Sequence, residues 1–280
     1  MSNPALDAVV NLIREENKYD DLPAKAVNKL LYLVHKEANR RELDVTVPYF
    51  WYMFGAVASD AADGSGPGPE VQPSIDDHSD DIENLRTVVA DVLDMYYENS
   101  LEYITDLNYQ DAPYSVQPKW RKLDKQLATR HENYNDFLEE NPSIEDIRES
   151  VDAVYDTFPV SRHLRHQSDL LDWYSIMTRE IHSPEPDIDR MMNANLSFWR
   201  TFSLTIAENH RHEMTKKDVL DALDIESFDS ARKTSRSDLR RIEEEALEAR
   251  FDGGTASNIE LEAADALAEA ALATRLTGTE

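Results

Sequence analysis

Eight histidines and 56 acidic residues, with no cysteine, set the chemistry this 280-residue chain could perform. His163 and His166 stand three apart, and His210 and His212 are followed by Glu213. Such groups have the donor types that hold zinc or another divalent ion. Arg162, Arg165 and Arg211 lie among them, and their charge opposes a metal. These histidines therefore read as surface groups at arginine-rich helix ends, and no metal site and no cofactor is expected. Asp76, Asp77, Asp80 and Asp81 have oxygen ligands suited to calcium, but their spacing is not that of an EF-hand loop. His35 lies beside an apolar stripe and reads as a hydrogen-bonded edge residue, not a catalytic base. The chain lacks a G-x-S-x-G elbow, a Walker loop, a dinucleotide fingerprint and H-E-x-x-H. Without cysteine it has neither a thiolate nucleophile nor disulfides. A catalytic role has no positive support, so no catalytic residue is expected. The Met191-Met192 pair reads as core filling.

Positioning falls to helices. Only seven glycines occur in the chain, and helix formers abound, so an all-α fold is expected. The organising stretch runs from Leu22 to Val57. Val27, Leu30, Leu31, Val34 and Ala38 recur at three-and-four spacing and place one apolar stripe on a helix, with Asn28, Lys29 and Lys36 on the remaining surface. Pro23 suits its first turn. After a polar break, Thr46 and Pro48 begin a second short helix carrying Tyr49, Phe50, Trp51, Tyr52 and Phe54 before Gly55.

The string Asn28-Lys29-Leu30-Leu31-Tyr32-Leu33-Val34 resembles the "KLLYLA" helix of the Panacea antitoxin domain family of toxin–antitoxin systems. Trp51-Tyr52-Met53-Phe54-Gly55-Ala56-Val57 is similar to the family's Trp-x-x-Gly-Pro-Val segment, with one extra residue and Ala56 in place of proline. Tyr109-Gln110-Asp111-Ala112-Pro113-Tyr114 resembles its closing segment. The resemblance covers roughly residues 5 to 118. It implies a helical domain that neutralises a protein toxin by direct binding, through aromatic anchors. Tyr49, Trp51, Tyr52 and Tyr114 are the candidate partner-binding residues. Some of these must also be core: Trp51 is assigned there, while Tyr49 and Tyr52 keep hydroxyls that can stay wet.

Further along, 4–16 reads as a first helix. Residues 58–81 read as a mobile acidic loop, with Gly64, Gly66 and Gly68 among prolines and aspartates. Ile82 to Leu107 reads as the longest helix, and Tyr109 to Pro118 as a loop. Helices follow from Lys119 to Asn141, from Ser143 to Phe158, from Leu164 to Ile181, and from Asp187 to Ile206. Ser143 with Asp146, and Thr215 with Asp218, have the spacing of capping boxes. A charged helix ends near Gly253, and Ser257 with Glu260 opens a last one. The expected organisation is a Panacea-like domain over 1–118, a helical extension over 119–230 and a helical tail over 231–280.

The formal net charge is −27. The acids are dispersed along helical stripes, which favours adaptation to a salty cytoplasm over mimicry of nucleic acid. Direct nucleic-acid binding is disfavoured, because phosphate recognition needs a basic surplus. No apolar run approaches the length of a membrane span, and the N-terminus lacks a secretory pattern, so a cytoplasmic protein is expected. The chain is expected to bind a protein toxin, and a homo-oligomer is open. The second reading is a non-enzymatic helical regulatory or scaffold protein of a halophilic archaeon or its virus.

Overall fold

A computed structural model describes residues 4–18, 22–58, 79–132 and 141–253. The acidic stretch 59–78, Tyr134, Leu138 and the expected helix after Ser257 lie outside the described residues. The fold is predominantly helical, as expected, with ten α-helices and one small sheet among the described residues. No described helix is long and apolar enough to cross a membrane.

The chain divides into two compact units, one of residues 1–113 with 205–226, the other of 114–204 with the chain from 227 onward. In the first unit, α1 (Pro4–Glu16) and α2 (Ala24–Arg40) precede β1 (Tyr49–Tyr52) and β2 (Gly55–Val57), and α3 (Ser79–Glu98) and α4 (Leu101–Tyr109) follow. Helix α2 packs against α1, α3, α4 and β2. It is the unit's axis, because Leu30, Leu31, Val34 and Ala38 are all fully buried. The expectation that Asn28 and Lys29 lie on its outer surface is wrong. Both are buried, and His35 is too. Neighbours surround this helix, so its polar side chains need partners inside the unit.

The aromatic segment is a strand, not a helix. Four consecutive bulky aromatics would point to every side of a helix. In a strand they alternate between two faces, and aromatic side chains favour that pleated surface. Tyr49 and Trp51 share the face toward Tyr32, at 5.0 and 5.7 Å between ring centroids. β1 pairs antiparallel with β2, Tyr52 opposite Gly55 and Phe50 opposite Val57. Gly55 takes φ +107°, which closes the turn at Met53-Phe54 and which an L side chain resists.

The expected helix from Ile82 to Leu107 is two helices. Ser100 caps α4 in extended geometry, its hydroxyl accepting the Tyr103 amide at 3.2 Å. Asn99 and Ser100 offer the backbone this alternative to continuing the helix. Tyr103 consequently leaves the apolar stripe and is exposed. Residues 205–226 supply β3 (Arg211–His212) and α9 (Lys216–Ala222) to this unit, and the sheet order is β2-β1-β3.

The second unit holds α5 (Val116–Glu132), α6 (Ile144–Thr157), two 3-10 turns over 160–166, α7 (Gln167–Ile181), most of α8 (Ile188–Asn209) and α10 (Phe228–Gly253). Helix α5 starts three residues before the expected Lys119, with Pro118 in its first turn, where a missing N–H costs nothing. Helix α7 starts three residues after the expected Leu164. Leu164 sits on a 3-10 turn and is 60% exposed. Both expected capping boxes form, at Ser143 with Asp146 and at Thr215 with Asp218. The core is aromatic: Trp120 stacks on Trp199 at 4.5 Å, and Trp173 on Phe198 at 5.0 Å.

Candidate functional site

Residues from the three similar segments meet around the β1–β2 hairpin. The Lys29 ammonium, one turn ahead of Tyr32 on α2, donates to the Phe54 carbonyl and, at 3.3 Å, to the Ala56 carbonyl. The Asn28 Oδ1 accepts the Ala58 amide at 3.0 Å. The Tyr109 hydroxyl donates to the Met53 carbonyl at 2.8 Å. Side chains of α2 and α4 therefore hold three carbonyls and one amide in and around the turn, at positions 53, 54, 56 and 58. This fixes the hairpin tip, where Phe54 stands 39% exposed.

Of the candidate anchors, Trp51 is buried at 4% exposure, with Tyr32 edge-on to its ring. Tyr49 and Tyr52 are half-buried on opposite faces of β1. Tyr114 belongs to the second unit, where its hydroxyl meets His163 Nε2 at 2.9 Å and its ring lies 5.6 Å from that of Phe202. Burial raises the Tyr49 and Tyr114 hydroxyl pKa values, Arg162 opposing the rise at Tyr114. Each is a neutral hydroxyl at pH 7. Burial, with Asp111 beside it, raises Tyr32 as well. The Tyr32 hydroxyl donates to Asp111 Oδ2 at 3.2 Å, and Lys36 Nζ donates to the same oxygen at 2.5 Å.

No protein-family model, no curated protein and no solved structure matches the chain. Among the described residues no group of three or more His, Asp or Glu is arranged to hold a metal ion. His166 is buried and engaged otherwise: its Nδ1 meets Asp169 Oδ2 at 2.9 Å, and Asp169 also accepts from Arg236 Nε at 2.8 Å. His210 and His212 flank the β1 edge, where Trp51 N–H donates to the His210 carbonyl at 3.0 Å. The arrangement presents an aromatic hairpin held by buried polar side chains.

Sequence reasoning named three residues of this hairpin as anchors but missed the groups that hold it. Asn28 and Lys29 interrupt an otherwise apolar run between Val27 and Leu30, and that interruption was the available signal. Nothing local marks His212, because its pairing with Tyr49 joins strands more than 150 residues apart in sequence.

Burial lowers the pKa of His35, His166 and His210, and the His212 ring adds to the effect at His35. Asp169 pulls His166 the other way without overcoming its burial. In the unfolded chain such groups titrate near about 6.5. The unfolded state thus binds more protons just below that pH, so stability is fully present above about pH 6.5 and is lost as pH falls through the lower native values. Urea midpoints at pH 7.5 and pH 5.5 test this: the midpoint falls at the lower pH, and equal midpoints would contradict it.

Proposed function

We propose that the chain is an antitoxin-like binding protein that neutralises a cognate protein toxin by direct contact through the β1–β2 hairpin. One observation carries this reading: Phe54 is an exposed aromatic on a turn whose carbonyl is held by buried Lys29. An aromatic presented on a rigid support loses little freedom on binding, which is how a few residues come to dominate an interface. Tyr52, half-buried beside the tip, extends the same surface. Residues of all three Panacea-like segments take part in this one structural element, Lys29 and Tyr109 bonding to the turn of the hairpin. The role needs no catalytic group and no cofactor, and its place is the cytoplasm.

The test is co-expression with the product of a short neighbouring reading frame that arrests growth. Growth is restored by the full chain, and the two proteins co-purify in high salt. Phe54→Ala combined with Tyr52→Ala weakens the complex at least about thirty-fold, equivalent to roughly 2 kcal/mol, while the melting temperature stays within a few degrees. Unchanged binding by that variant would remove the hairpin from the interface. Co-purification of a second copy alone would favour assembly over neutralisation.

A further inference from the structure

The two edges of β1 are closed by different means. On one side β2 is joined through the turn and fixed by Lys29, Asn28 and Tyr109. On the other side β3 is two residues long, with Tyr49 opposite His212 and Phe50 opposite Arg211. Besides this short ladder and the Trp51 amide to the His210 carbonyl, ring packing holds His212, while the His210 amide is bonded to the Ile206 carbonyl at 2.7 Å and Arg211 to the Glu208 carbonyl. His212 stacks on Tyr49 at 5.2 Å and lies 5.0 Å from His35. Glu213 then takes φ 51°, so the chain leaves the sheet at once.

Two of these contacts are sensitive to protonation: the bond that His35 accepts and the approach of His35 to His212. The Val47 amide donates to His35 Nδ1 at 3.3 Å, and an imidazolium has no lone pair to accept it. His35 and His212 face each other, so two protons would place like charges 5.0 Å apart in a partly buried setting. Tyr49 of β1 faces both rings, Tyr32 of α2 packs on Tyr49, Asp111 just beyond α4 is bound to Tyr32 and Lys36, and His210, Arg211 and Glu213 adjoin His212 in the chain. Asp111 is already bound by Lys36 and by the Tyr32 hydroxyl, which limits what it can offer an imidazolium. Burial and the facing His212 push the pKa of His35 down, against the hydrogen bond to the Val45 carbonyl, which raises it.

We propose that β3 is a pH-sensitive latch, in which protonation of the His35–His212 pair releases residues 210–212 and opens the outer edge of β1 while the β1–β2 hairpin stays folded. An open edge presents backbone N–H and C=O groups that another strand can pair with. The hairpin survives because Lys29, Asn28 and Tyr109 lie on its other side and their bonds do not require a neutral imidazole.

Amide hydrogen exchange on the full chain in fixed high salt tests the latch, with rates corrected for the intrinsic effect of pH. Between pH 7.5 and 5.0 protection of the Trp51 amide falls at least tenfold, while the Ala58 amide, bonded to Asn28, keeps its protection. The titration of the His35 imidazole, followed by NMR, has the same midpoint. His212→Phe keeps a ring on Tyr49 without a titrating group and abolishes the fall. Three outcomes overturn the proposal. Trp51 protection stays constant, or it falls at a pH where His35 does not titrate, or Ala58 loses protection together with Trp51.

Discussion

Trp51→Ala is expected to destabilise the first unit by about 3–5 kcal/mol, the range for deleting a buried large aromatic. The residue is 4% exposed, on the strand face that meets Tyr32 of α2. Removing the indole opens a void between α2 and β1. The neighbouring groups cannot close it easily, because β1 is pinned by β2 on one side and by β3 on the other. Loss of the edge-on contact with Tyr32 adds to the cost. Tyr49→Ala with Tyr52→Ala removes rings that are only half-buried and is expected to cost less. Thermal melts of the two variants separate the alternatives. If Trp51→Ala melts like the parent while the tyrosine pair unfolds, the faces of β1 are assigned the wrong way round. If both melt normally, the aromatic strand is not the core of this unit.

The helical character was legible because it rests on local signals. The stripe from Val27 to Ala38 and the two capping boxes each involve residues within a few positions of one another, and all are found. What was not legible depends on distance. The run Tyr49–Tyr52 reads as a helix beside α2 only if its partner is assumed to be a helix. Pairing with β2 and with a strand from residues 211–212 makes it the middle of a sheet, and no pattern within the run announces the second of these. The split after Glu98 was visible as Asn99-Ser100, but the apolar spacing of Tyr96, Tyr103 and Leu107 continues across it and concealed the cap. At the site, the aromatic residues of the hairpin could be named from type alone. Asn28 and Lys29 could not be placed, because polar residues on a helix are assigned to solvent unless something distant supplies their hydrogen-bond partners; His35, read as a hydrogen-bonded edge residue, does take such bonds, from Asn39 and Val47. Here the hairpin turn and the approach to β1 do so, through the carbonyls of Phe54 and Ala56 and the amides of Ala58 and Val47.

Lys29→Met is the sharpest test of that arrangement. Methionine keeps an unbranched apolar stem of similar length and removes the ammonium, so packing is largely preserved. The carbonyls of Phe54 and Ala56 lose their side-chain donor. Ala56 is fully buried, and leaving a buried acceptor unsatisfied costs about 1–3 kcal/mol. Phe54 is partly exposed, and water can replace the lost bond there. Against this, the variant no longer desolvates an ammonium, which offsets part of the loss. The expected net cost is about 2 kcal/mol, read from urea denaturation. Gly55→Ala probes the same point from the other side. Its new methyl would lie 2.9 Å from Lys29 Nζ, at a φ of +107° that alanine resists, and the strain is worth about 1–3 kcal/mol. Lys29 cannot simply swing away, because the two carbonyls hold its tip. The double variant removes the clash along with the ammonium and leaves only the backbone strain. It should therefore cost less than the two single changes added together, by at least about 0.5 kcal/mol. Strict additivity would mean that the ammonium does not seat against the turn. A Lys29→Met variant as stable as the parent would mean that the hairpin tip is not held from α2 at all.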